Sequence, residues 1–316
     1  MEATRTRVWA EHPTVALHEF EELMRSVSNW GRWGPEDDRG TLNLITPARI
    51  IAAARLVKSG RTVSMALDWN TQAGPDNPSP ALHYMTQVGD CDPGEPQTNA
   101  DFIGSNFHGK ACSHIDALCH CDYRGQLFNG VPQSSVGSRG ASKGTIMTCA
   151  HGIVSRGVLL DVPRYRGIDW LEPGSAVEPA ELAQVEAAQG VRVGSGDIVL
   201  IRNGHFKRRQ TLGAWPPFFF AAGLHPSAMS WLHEREVSVL GADADSDARP
   251  SPVEGMLSPI HALTLNGMGM PLLDNLQLED VAAVCESERR WEFLCVVAPL
   301  RVPGGTGSPI NPIAIF

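Results

Sequence analysis

Apolar residues recur at helical spacing near the start of the chain. Leu17, Phe20, Leu23, Met24 and Val27 fall on one stripe, which predicts an amphipathic helix over 14–28 with Thr14 as its N-cap. Residues 29–47, rich in Gly and Trp, fit neither helix nor strand. Thr46-Pro47 opens a second helix that Gly60 closes, and Arg61–Asp68 alternates as a strand. Residues 70–100 carry many Pro, Gly, Asn and Asp and read as a long loop, with His83-Tyr84-Met85 as its one apolar knot. Beyond it, Gly144–Cys149 and Gly157–Val162 read as short buried strands, and Glu178–Gln189 as a helix ended by Gly190. The run I-V-L-I after Gly196-Asp197 is a buried strand, and His225–Arg235 a helix with Pro226 in its first turn. Val237–Ala242 is a strand leading into the acidic turn D-A-D-S-D. Gln277–Cys285 is a helix and Phe293–Ala298 a strand. Strands and helices interleave, which predicts an α/β or α+β domain.

Composition narrows the class. The chain has 316 residues, 42% of them hydrophobic and 19% charged, enough for a sizeable core. A net charge of −9, with no basic run longer than Lys207-Arg208-Arg209, argues against nucleic acid as a partner. No apolar run approaches the roughly 20 residues of a membrane helix, and the opening M-E-A-T-R-T-R-V-W-A-E-H-P has no signal-peptide core. Seven cysteines without paired spacing predict reduced thiols and a cytoplasmic protein.

Chemistry concentrates in Phe107 to Asn129, which holds His108, His114 and His120, with Asp116 between the last two. His114 and Asp116 lie two apart, so on a strand both leave by the same face. Imidazole with carboxylate suits zinc, manganese or iron(II). A zinc finger is excluded by the cysteine spacing. A serine hydrolase has no G-x-S-x-G elbow here, and neither nucleotide-binding glycine fingerprint is present. A hydrogen-bonded polar core is the bland alternative for the histidine cluster.

S-H-I-D-A-L-C-H resembles the signature H-x-G-T-H-x-D-x-x-x-H of the cyclase-like metal-dependent hydrolases, a family that includes bacterial kynurenine formamidase and isatin hydrolase. The likeness extends to N-W-G-R-W-G-P-E-D-D-R-G-T-L-N, Y-R-G-Q-L-F-N-G, G-D-I-V-L-I-R-N-G and A-P-L-R-V-P-G-G-T-G-S-P-I-N-P-I-A, essentially the whole chain. It implies a single-domain swivelling β/β/α fold, α/β with mixed sheets and flanking helices, over 61–316. Residues 1–60 would be a helical N-terminal extension covering a partner subunit in a homodimer. It also implies that His114 and Asp116 bind a divalent metal, Zn or Mn, one or two per chain, and that His120 is the general acid/base. The family's first histidine ligand aligns with Lys110, which cannot ligate as an ammonium. Reading H-G-K-A-C-S-H as the motif with two inserted residues makes His108 that ligand. P-I-H-A-L-T-L-N-G-M-G-M-P-L-L-D-N-L resembles the family's later His…Glu segment, which gives His261 a metal or catalytic role and puts Asp274 in the Glu position.

The implied reaction is hydrolysis of an amide or lactone of a small cyclic or aromatic substrate by metal-activated water. Trp33, His83, Trp215, Phe218 and Phe219 are candidates for the substrate wall, with Lys110 as a further contact. Two other readings stay open. One is a non-hydrolytic cyclase, dehydratase or isomerase using the same metal. The other is a metal-poor binding protein, suggested by Lys110 and Asp274.

Overall fold

The computed structural model describes residues 9–89 and 98–316. Its frame is one nine-stranded mixed sheet. In chain order the strands are β1 (Thr62–Ser64), β2 (His114–Asp116), β3 (Ile153–Asp161), β4 (Ile198–Arg202), β5 (Val239–Ala242), β6 (Leu272–Asp274), β7 (Glu292–Val297), β8 (Gly307–Pro309) and β9 (Ile313–Ile315). Their spatial order is β1-β9-β7-β3-β4-β5-β6-β2-β8. The central neighbours β3, β4, β5 and β6 run parallel. The flanking pairs, β6–β2 and β2–β8 on one side and β3–β7, β7–β9 and β9–β1 on the other, are antiparallel.

Alternation explains why the central strands read as unbroken apolar runs. Val158, Leu160, Val199, Ile201 and Leu240 enter one core, and Leu159, Ile198, Leu200 and Val239 enter another on the opposite face. A parallel sheet covered on both faces needs apolar side chains at every position. Ile115 belongs to the second core, so its neighbours His114 and Asp116 face the first.

Helices α1 (Leu17–Ser26) and α2 (Pro47–Ala54) match the predicted pair, the first with a later start and the second ending before Gly60. The first is capped at Ala16 rather than Thr14. Its N–H donates to the Glu19 carboxylate (2.8 Å), and Phe20 is fully buried. The second begins as expected, with the Thr46 hydroxyl accepting from the Arg49 N–H.

Two expectations are corrected. Gly144–Cys149 is not a strand: Ile146–Cys149 forms a 3-10 turn capped by Thr145, because burial of Ile146 and Cys149 does not need extended backbone. The expected loop over 70–100 contains a two-stranded antiparallel hairpin, Leu82–Gln87 with Ala100–Gly104, whose residues are nearly all exposed. Only 90–97 of that loop fall outside the described residues. The acidic turn after β5 is where predicted, and its Asp243, Asp245 and Asp247 are all buried.

The described cysteines, Cys112, Cys119, Cys121, Cys149, Cys285 and Cys295, are unpaired; Cys91 lies outside the described residues. Lys207, Arg208 and Arg209, the longest basic run, are each paired with an acid: Asp169, Glu172 and Asp76. No helix among the described residues is long and apolar enough to cross a membrane.

Candidate metal centre

The centre lies where the carboxyl end of the parallel strand β6 meets the antiparallel β2. Register puts Asp274 opposite His114, and Leu272 opposite Asp116. One face of this two-strand patch therefore carries His114, Asp116 and Asp274 together. Ser113 locks the register. Its hydroxyl donates to the Asn275 carbonyl (2.5 Å) and accepts from the Leu67 N–H (2.9 Å). Asn275, left-handed at φ 55, donates its amide to the Gly109 carbonyl (2.9 Å) and so braces the loop that carries His108.

His261 arrives from across the site. It ends the turn Pro259–His261, which continues as a wide i→i+5 helix over Ala262–Met268, a geometry common at functional sites. Its Nε2 stands 3.4 Å from Asp116 Oδ2 and 3.3 Å from Asp274 Oδ2. Its Nδ1 lies 2.5 Å from Asp247 Oδ2.

His108 and His120 close the remaining side. Their rings stack at 3.7 Å between centroids with 9° between planes. His108 Nδ1 is 2.7 Å from Asp116 Oδ1, and its Nε2 is 2.9 Å from the Thr306 hydroxyl. His120 Nε2 is 3.8 Å from Asp116 Oδ2. A backbone without a side chain makes room for this stack: a Cβ on Gly307, which faces Asp116 from β8, would come within 2.9 Å of the His108 ring. His120 is the most open member of the cluster, its side chain 28% exposed against 19% for His108 and 1% for Asp116.

The electrostatics are those of a few buried acids balanced by imidazoles. Burial raises the pKa of Asp116, but His120, His108, His261 and His114 outweigh it and hold the carboxyl well below its usual value. Burial also opposes charge on His261, yet the surrounding carboxylates of Asp116, Asp247 and Asp274 hold its pKa well above the ordinary histidine range. Burial raises Asp274. His120 is pushed down to about 4, by burial first and by the other imidazoles next, against the pull of Asp116.

These donors fit a divalent cation. Two overlapping sets have ligand atoms within 4.8 Å of one another: His114, Asp116 and Asp274, and His108, Asp116 and His120. Asp116 Oδ2 and Asp274 Oδ1 are buried and accept no hydrogen bond. A buried carboxylate oxygen without a donor is unfavourable by several kcal/mol, which a cation between them relieves (about 2–7 kcal/mol for a polar group). Mixed imidazole and carboxylate ligation suits zinc or manganese.

Lys110 does not turn into this cluster. Its ammonium is paired with Asp245, which Arg249 also meets at 3.2 Å. Phe218 stands against it, the Lys110 Nζ lying 5.4 Å from the ring centroid. A cavity of about 710 Å³ is lined by Lys110 and by Asn275, the neighbour of Asp274, together with Trp69, His205, Phe206 and Arg209. Trp215 is buried and packs its ring on His205 at 4.6 Å, one residue back from that wall. Phe219 is mostly exposed. His83 pairs with Asp101 at 2.8 Å on the exposed hairpin, and Trp33 packs on the first core beneath Arg32; neither has a contact with the cluster.

Sequence reasoning missed Asp245, Asp247 and Thr306. Spacing offered no signal for Thr306. For the two acids the signal was the alternation in D-A-D-S-D directly after a buried strand, which reads equally well as a solvated turn.

A family profile described as "Putative cyclase" matches residues 64–247, more than half of the chain. A crystal structure of a novel cyclase is 31% identical, with a TM-score of 0.82, and the match covers 92% of this chain and 100% of that one. An isatin hydrolase bound to the product analogue thioisatinate shares the fold at 18% identity and a TM-score of 0.56, covering 86% of this chain and 99% of that one. A predicted metal-dependent hydrolase from Bacillus stearothermophilus does so at 16% identity and a TM-score of 0.52, covering 80% and 97%. No curated protein matches significantly. The profile match includes His108 to His120 and Asp247, while His261 and Asp274 lie beyond it.

Proposed function

The chain belongs to the cyclase family, and from that premise we propose that it is a metal-dependent hydrolase opening the amide or lactone bond of a small cyclic or aromatic substrate. The observation that carries this reading is the pair of unpartnered buried oxygens, Asp116 Oδ2 and Asp274 Oδ1, among converging imidazoles. A hydrogen-bonded polar core, the bland alternative, gives no reason for two such carboxylate oxygens to converge on the same imidazoles.

His114, Asp116, His261 and Asp274 would hold the cation, with His108 completing the set. Zinc or manganese is the cation proposed. When bound, it polarises the carbonyl and acidifies the attacking water. The protein's own residues supply the rest. His120, partly open to solvent and neutral at physiological pH, takes the proton from the water as it adds to the carbonyl carbon. The same ring then returns that proton to the leaving nitrogen or oxygen as the carbon–heteroatom bond breaks. Asp116, through its closeness to His120, orients that ring. The substrate's remaining bulk would occupy the cavity beside Lys110, where Trp69, His205 and Phe206 offer aromatic walls.

The test is turnover of a panel of N-formyl aryl amines, cyclic imides and aryl lactones by metal-loaded protein, with the product mass recorded. Gain of one water supports hydrolysis. Loss of water or an unchanged mass in the product would instead favour the dehydratase or isomerase reading.

A further inference from the structure

Asp247 is fully buried and has two hydrogen-bond partners, one per oxygen. Oδ1 accepts from the Ile260 N–H at 2.7 Å, and Oδ2 lies 2.5 Å from His261 Nδ1. These two residues are adjacent on one turn, so the carboxylate grips both the backbone and the ring of the segment that delivers His261. Its own backbone is held equally firmly. The Leu224 N–H donates to the Ser246 carbonyl at 2.9 Å, and Gly223 lets the chain approach so closely that a Cβ there would lie 2.4 Å from the Asp247 carbonyl carbon.

We propose that Asp247 is a positioning residue for the centre. It fixes the His261 proton on Nδ1 and thereby presents Nε2, the nitrogen 3.4 Å from Asp116 and 3.3 Å from Asp274, as the ligand atom. The proposal rests on the metal reading above. An imidazole offers only one nitrogen to a cation, and a carboxylate on the other settles which tautomer and which ring orientation are available. Without Asp247 nothing holds the Nδ1 side of the ring, so neither the orientation that aims Nε2 at Asp116 and Asp274 nor the tautomer left when a cation displaces the Nε2 proton is fixed.

A competing role is merely structural: Asp247 as a cap for the Ile260 N–H. The two are separated by a double-mutant cycle read out as affinity for Zn²⁺, measured by competition with a chromophoric chelator. Asp247→Asn keeps an acceptor for Ile260 but places an NH2 group, a donor, toward the imidazole. Positioning predicts a Zn²⁺ affinity about 10–100-fold weaker than wild type. It also predicts no further loss when Asp247→Asn is added to His261→Ala, because the ring it orients is already gone. If Asp247→Asn does not unfold cooperatively, Asp247→Ser takes its place; it retains a hydroxyl but is too short to reach the ring, and the same loss is expected. Wild-type affinity in the folded variant overturns the proposal, and so does an equal loss in the His261→Ala background. Wild-type protein that takes up no Zn²⁺ overturns the metal reading itself, a result distinguishable from either of these.

Discussion

His120 and its neighbours divide labour by exposure. Asp116, His114 and Asp274 are buried, while His120 is partly open to solvent. Replacing it with Ala should lower kcat by about 100- to 10,000-fold, the usual range for a lost general acid/base. Metal content measured on the same sample should stay at the wild-type level. A fall in metal content would make His120 a ligand instead. Gly307→Ala tests the same geometry from behind. The added methyl meets the Ile115 carbonyl at 2.3 Å and the His108 ring at 2.9 Å, so the strand or the ring must move. Weaker metal binding and a lower melting temperature are expected together, with the loss concentrated in variants that retain His108. At this scale the site was partly legible. His114 and Asp116 announce themselves because a two-residue step on a strand shares a face, and the structure places both on β2. Asp247 does not, since nothing in D-A-D-S-D says that these acids point inward rather than at water.

Elements that depend on local chemistry were the most readable. Thr46 caps α2 because its hydroxyl reaches the Arg49 N–H two residues past Pro47, an arrangement written in the letters. Thr46→Ala should reduce stability by about 1 kcal/mol, read as a drop in the midpoint of chemical unfolding. Elements that depend on tertiary contact were not readable. Ile146–Cys149 looks like a strand because its residues are apolar, but it lies against Gly305 by a single backbone bond and curls into a turn. The hairpin at 82–104 was hidden because its many Gly, Pro and Asp neighbours suggested irregular chain, and its exposed faces carry no alternation. The pairing of β2 with β6 joins segments more than 150 residues apart, and only the family resemblance connected His114 to Asp274 beforehand.

The whole molecule joins a nine-stranded frame to a centre assembled from three distant segments: the loop and strand carrying His108 to His120, the turn carrying His261, and the end of β6. Such an assembly ties metal binding to folding. A cation that binds the folded state alone raises stability by about 2.7 kcal/mol at a concentration 100 times its Kd, so chelation should lower the melting temperature and readdition should restore it. Acid sensitivity has a second source, remote from the centre. Burial, followed by the nearby Lys110, depresses His205 from 6.5 to about 3 in the folded state. The unfolded chain therefore binds a proton that the native one refuses. Stability is complete above pH 6.5 and falls toward pH 3 by about 1.4 kcal/mol per pH unit for one such proton. His205→Gln should flatten that limb of the pH–stability curve, whereas an unchanged slope would place the acid lability elsewhere.

The central claim is that His114, Asp116, His261 and Asp274 enclose a divalent cation. Diffraction data collected on either side of the zinc and manganese absorption edges test it most directly. The account predicts an anomalous peak at about 2.0–2.2 Å from His114, Asp116 and His261 Nε2, with Asp274 alongside and Lys110 still turned to Asp245. A metal-loaded crystal with no peak between these residues, or with Lys110 in their midst, would contradict it.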